Sequence, residues 1–128
     1  MTTQNAEGAI NAAPYSLFNV VSHDPPMLMI AVLPHAEQRL KDTARNIGET
    51  KEFVVSLVSE QLAEAMNIAC IDAPPECNEL ELAKLQSAPS VAVKPPRIAA
   101  SPVSYECIVE TTLSFGENQL IILFSAGF

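Results

Sequence analysis

From Ala9 to Val21 apolar residues alternate with small polar ones, Asp24-Pro25-Pro26 then turns the chain, and a continuous apolar run extends to Leu33. This pattern predicts two strands joined by a polar, proline-fixed loop. Asn11, Ser16, Asn19 and Ser22 fall on the first strand, where short donors leave room for a ligand. The residues alone leave two readings open, a ligand cradle and a core hairpin.

Ahead of this unit Met1 to Gly8 is polar, and Glu7-Gly8 marks a hairpin turn with only Thr2 and Thr3 left to pair in front of it. Behind it, Pro34 to Leu40 reads as a loop. Lys41-Asp42-Thr43 then opens a short helix with Asp42 as its N-cap, Ala44 and Ile47 as a modest apolar stripe, and Gly48 weakening its end. Glu52 to Val58 predicts a buried strand, with Phe53, Val55 and Leu57 on one face and Val54 and Val58 on the other. Ser59 is expected to cap a helix running to Cys70, whose Leu62, Ala65, Met66 and Ala69 share a face. Asp72-Ala-Pro-Pro ends that pattern. Asn78 and Glu81 form a capping-box-like start to a third short helix with Leu82 and Leu85 inside. Glu76, Glu79 and Glu81 beside that start read as a solvated face. Pro95-Pro96 and Pro102 bracket an extended connection.

From Val103 to Phe115 alternation returns, with Val103, Tyr105, Cys107, Val109, Leu113 and Phe115 on one face. Gly116-Glu117-Asn118 turns the chain, and Leu120 to Phe124 comes back as a strand buried on both sides. Five or six strands with two or three inserted helices predict a mostly-β, α+β barrel. No repeat or domain linker interrupts it.

With 128 residues, 48% of them hydrophobic and 17% charged, the chain has the material for one cored domain. Its longest uncharged apolar run is shorter than a membrane span needs. No basic leader precedes an apolar segment, so the expectation is a cytoplasmic protein without membrane contact. A net charge of −8 argues against a nucleic-acid partner. Cys70, Cys77 and Cys107 are odd in number and form no CxxC pair, which suits thiols in a reducing compartment. His23 and His35 are the only histidines and lack metal-ligand spacing, so no metal site is expected. Hydrolase, NTPase and Rossmann signatures are absent. What the residues offer is an anion seat, since Lys41, Thr43 and the free amides of a helix start can hold a phosphate. The alternative for the same residues is an ordinary capped surface helix.

The phrases NAAPYSLFNVVSHDPP, KDTARNI, EFVVSLVSEQLAEAMN, VKPPRIAASPVSYEC and QLIILF occur in that order between about Asn5 and Phe124. Together they resemble the flavin reductase-like family of FMN-binding split β-barrel proteins. The resemblance implies a Greek-key split barrel as one domain over residues 1–128, FMN as cofactor and NAD(P)H as electron donor. It further implies that Asn11, Ser16 and Asn19 are polar contacts along the flavin ring, with Leu17 an apolar neighbour. Ser22 and the Lys41, Asp42, Thr43 and Asn46 segment would serve the ribityl-phosphate end. The implied activity is transfer of electrons from NAD(P)H to flavin for a monooxygenase or another acceptor. An FMN-binding electron carrier without nicotinamide turnover, and a cofactor-free truncated interaction module, stand as alternatives. His23 stands where the family commonly has a small residue, and it is read as pointing outward. Relative to the family the chain looks shortened by its first strand and its last strand or strands, and an edge-covering homodimer is therefore expected.

Overall fold

Proline and glycine divide the alternating runs into short strands, and every strand pair is antiparallel. The structure, a computed structural model, describes residues 1–33, 41–70, 74, 76–116 and 119–127. The elements are β1 (Thr2–Gln4), β2 (Ile10–Ala12), β3 (Phe18–His23), β4 (Pro26–Val32), α1 (Asp42–Thr50) and β5 (Glu52–Ser56). They continue with α2 (Ala63–Ile68), α3 (Glu79–Leu82), β6 (Ser87–Ala88), β7 (Arg97–Ile98), β8 (Ser104–Phe115) and β9 (Gln119–Gly127). The expected loop at Pro34 to Leu40, most of the Asp72 break and the Glu117-Asn118 turn lie outside the described residues.

Seven strands form one sheet in the order β2-β1-β5-β8-β9-β4-β3, and β6 and β7 pair separately. Long connections set β5 beside β1 and β9 beside β4, as a Greek-key order requires. A flat sheet of seven strands would hold β2 and β3 about 29 Å apart. Only residues 13–17 join them, and that link reaches about 20 Å fully extended. The sheet therefore curls, and its two outer strands approach across a split.

The run from Ala9 to Val21 is thus two strands rather than one. Its first part pairs with β1 and its second with β4. Pro14 lies in the link between them, where its missing N–H deprives no ladder. Thr2 and Thr3 do form a strand with Gln4, pairing on one side with β2 and, at Thr2, on the other with β5. The glycine turn expected there is present, with Gly8 at φ +93°, a conformation that favours glycine.

Inside the curl lie Ile30, Val32, Phe53, Val55, Cys107, Ile122 and Phe124, closed at one side by Ala44 and Ile47 of α1. The Phe53 and Phe124 rings meet edge to face at 4.6 Å, a geometry worth about 0.5–1.5 kcal/mol beyond the area buried.

Several expected positions move. The fifth strand stops at Ser56, so Leu57 and Val58 are exposed. Ser59 precedes a 3₁₀ turn, Glu60–Leu62, but makes no side-chain cap, and α2 is only six residues long. Asn78 does cap α3, accepting from the Leu80 amide at 3.0 Å. Leu80 rather than Leu82 points inward. A register shift between Val109 and Thr111 breaks the alternation of β8, and Leu113 and Phe115 end up exposed.

Candidate functional site

The start of α1 collects five of the residues expected to bind a ligand. Its outer stripe would make a surface helix, but Thr43, Ala44, Asn46 and Ile47 are all buried, so this helix is packed onto the barrel by its first turn. Asn46 donates through Nδ2 to the Thr3 hydroxyl at 3.0 Å. Asn11 donates likewise to the Thr43 hydroxyl at 2.9 Å. Two polar bonds between side chains therefore bolt α1 to β1 and β2. Thr43 is only 2% exposed, so its hydroxyl serves Asn11, and its amide is what it can offer to a ligand.

Asp42 is not the N-cap. Lys41 takes that position in extended conformation, with no side-chain cap bond. The Asp42 carboxylate is held instead by the Arg45 guanidinium one turn on. From the first helical position its oxygens are also poorly placed for the amides that a cap normally satisfies. The first bond across the helix start is from the Arg45 amide to the Lys41 carbonyl at 3.1 Å. The amides of Asp42, Thr43 and Ala44 precede it and lack intrahelical acceptors.

Lys41 makes no ion pair among the described residues. Its ammonium lies 5.8 Å from the centroid of the Tyr15 ring, within cation–π range. Burial pushes the Tyr15 phenol up from its ordinary value of 10.0. Thr43 lies near enough to oppose that shift without meeting hydrogen-bond geometry. Among the described residues the Tyr15 hydroxyl has no partner.

Ser16, Leu17, Asn19 and Ser22 run away from this cluster along the link and β3. Ser16, Leu17 and Asn19 are exposed, and the Leu17 carbonyl accepts from the Ala31 amide at 2.9 Å. Asn19 accepts from the Val20 amide at 2.9 Å. Ser22 sits beside a register shift in the β3–β4 pair, and no hydrogen bond among the described residues joins it to α1. His23 is exposed at the end of β3, as the outward reading expects.

Two residues that sequence reasoning passed over belong to this region. Tyr15 lies inside the NAAPYSLFNVVSHDPP phrase, and its signal is an aromatic among short donors. Glu79 was read as solvated, yet it is 5% exposed and its carboxylate accepts from the Ala12 amide at 3.0 Å. The reason is the free outer edge of β2, whose amide attracts the nearest carboxylate. Nucleophilic thiol chemistry has no support at Cys107, because burial pushes its thiol up to about 12. Among the described residues no group of three acidic, histidine or cysteine side chains could hold a metal.

The family model for the Flavin reductase like domain matches residues 1–124. The chain belongs to the flavin reductase-like domain family. A relative in Aquifex aeolicus (strain VF5) is 44% identical over 94% of this chain and 65% of its own length. The solved nitrilotriacetate monooxygenase component B from Bacillus cereus is 33% identical, with a TM-score of 0.89 over 98% of this chain and 64% of that one. A Shewanella frigidimarina structure described as having a split barrel domain shares the fold with a TM-score of 0.89 at 16% identity, over 99% of this chain and 62% of that one. The mostly antiparallel, curled sheet with three short helices is thus the split barrel of flavin reductase-like domains. The chain spans between 48% and 65% of the length of the curated relatives it matches. No helix among the described residues is long and apolar enough to cross a membrane.

Proposed function

We propose that this flavin reductase-like domain binds FMN, with the phosphate seated at the start of α1. What carries the reading is a helix start with no side-chain cap and a lysine at its N-cap position. The residues present suit an anion: three amides lack intrahelical acceptors, Lys41 adds a full positive charge, and Arg45 holds the nearby Asp42 carboxylate. Helix N-termini attract phosphate because their amides and dipole both favour negative charge. Asn11 and Thr43 fix the helix against β2 and so fix the seat. Ser16, Leu17, Asn19 and Ser22 would lie along the ribityl and ring portions.

The chemistry that a bound flavin supplies is electron transfer, and the protein's part is to hold, orient and shield it. Electrons would come from NAD(P)H and pass to a monooxygenase or another acceptor, in the cytoplasm. The Bacillus cereus neighbour, named as a monooxygenase component, favours that acceptor class. Exposed Val20, Val21, Leu113 and Phe115 support assembly as a homodimer, which would take these apolar side chains out of water.

The test is a visible spectrum of the purified protein with FMN, before and after anaerobic addition of NADH or NADPH. A bound-flavin spectrum that bleaches within a catalytic timescale supports the reading. Bound flavin that nicotinamide leaves oxidised points to an electron carrier. A protein that neither binds FMN nor gains thermal stability from it overturns the reading.

A further inference from the structure

The geometry points to the Tyr15 ring as the positioning element that holds the Lys41 ammonium at the mouth of α1, and so as a determinant of selectivity for phosphorylated over unphosphorylated flavin. This rests on the phosphate seat proposed above.

Three observations carry it. The Lys41 ammonium lies over the Tyr15 ring at 5.8 Å, and Asp42, the carboxylate next to it in sequence, is engaged by Arg45. A lysine side chain has four rotatable bonds and loses substantial freedom when it is fixed. A lysine already held by a ring forfeits less of that freedom on meeting a ligand, which is the gain from preorganisation. Second, the Tyr15 hydroxyl is buried and without a partner among the described residues. The contact that this side chain does make toward the helix start is therefore the one through its aromatic face, under the Lys41 ammonium. Third, Tyr15 is anchored where it matters. It follows Pro14 in the short link out of β2, and it packs partly buried against the barrel core. Asn11 in the same strand is bonded to Thr43 of α1. The ring and the helix start are therefore fixed to one rigid unit, and the ammonium spans the gap between them.

The chemical consequence concerns the dianionic end of the ligand and not its ring. Riboflavin lacks the phosphate and draws nothing from Lys41. The ratio of FMN to riboflavin affinity therefore reports the ammonium's contribution, while a general disturbance of the fold weakens both ligands together.

The experiment is calorimetric titration of FMN and of riboflavin into wild type, Lys41→Ala, Tyr15→Leu, Tyr15→Phe and the Lys41→Ala/Tyr15→Leu double variant. Lys41→Ala is expected to lower the FMN-to-riboflavin ratio about tenfold or more, as loss of a charge-assisted bond does. Tyr15→Leu should lower the ratio about two- to fivefold, the scale of a partly exposed cation–π contact. Tyr15→Phe keeps the face and should leave the ratio unchanged. In the double variant Tyr15→Leu should add nothing to the loss from Lys41→Ala. If Tyr15→Leu leaves the ratio at the wild-type value while Lys41→Ala lowers it, the positioning role is overturned and the phosphate seat stands. If Tyr15→Phe lowers the ratio as far as Tyr15→Leu, the hydroxyl is the working group and the ring assignment fails. If Lys41→Ala itself leaves the ratio unchanged, the seat is misplaced and both readings fall.

Discussion

The two outer strands of the curled sheet are both edges, and the protein treats them in opposite ways. Along β2, Ala12 gives its amide to the buried Glu79 carboxylate at 3.0 Å, and Asn11 is tied to Thr43 of α1. Along β3, Asn19, Val20 and Val21 face solvent, and the Val20 amide donates to the neighbouring Asn19 side chain. One edge is covered and fixed; the other is left open. An unpaired edge is a liability unless something covers it. The covered edge fixes the helix start where the phosphate seat is proposed, and the open edge remains available for contact with another molecule.

That contrast can be tested by substitution. The largest stability effect is expected at the covered edge. Glu79→Ala removes a charged acceptor and strands the Ala12 amide, for a loss of about 1.5–3 kcal/mol, measured by chemical denaturation. A loss below about 0.5 kcal/mol would mean that water replaces the carboxylate and that the edge is not held by it. Asp42→Ala comes next. Because Asp42 makes no cap and pairs with Arg45 at the surface, it should lose about 0.3–1 kcal/mol. A loss near 2 kcal/mol would restore a capping role.

Val20→Lys on the open edge should leave stability within about 0.5 kcal/mol in dilute solution. If the proposed homodimer uses this edge, the substitution should shift sedimentation at higher concentration toward monomer. A stability loss of several kcal/mol would show that the β3 edge is part of the packed core.

A smaller effect is expected from the loop ahead of β7. Glu106 on β8 accepts from the Val91 and Ala92 amides. These bonds, that of Val91 foremost, hold its carboxyl below the ordinary 4.5. A carboxyl depressed in the folded state contributes stability above its unfolded value, and that contribution is lost as pH falls through the lower folded value. Stability should therefore decline below about pH 4.5, and Glu106→Gln should flatten that part of the profile. Glu106 is half-buried, but its two hydrogen bonds lie at the surface where solvent screens them, so the change should be modest.

Much of this architecture was legible in the chain. The turns at Glu7-Gly8 and Asp24-Pro25-Pro26, the buried Phe53 strand and the β8–β9 hairpin all follow from alternation and punctuation. The misplaced features share a cause, because each depends on a partner distant in sequence. Alternation cannot show that residues 9–21 leave one edge and join another. Nor can alternation show that both faces of β8 are exposed from Glu110 to Phe115, past a register shift that no glycine announces. Glu79 looks solvated until the Ala12 amide is placed beside it. At the candidate site, Lys41 and Thr43 were visible from their helix-start spacing. The Lys41–Tyr15 contact was not, since 26 positions separate the two residues.

The most direct test of the phosphate seat is an amide-resolved NMR titration with FMN and, separately, with riboflavin. FMN should produce its largest shifts at the amides of Asp42, Thr43 and Ala44, and riboflavin should leave those three amides nearly unmoved. FMN binding that leaves them in place, or shifts of equal size with riboflavin, would contradict the account.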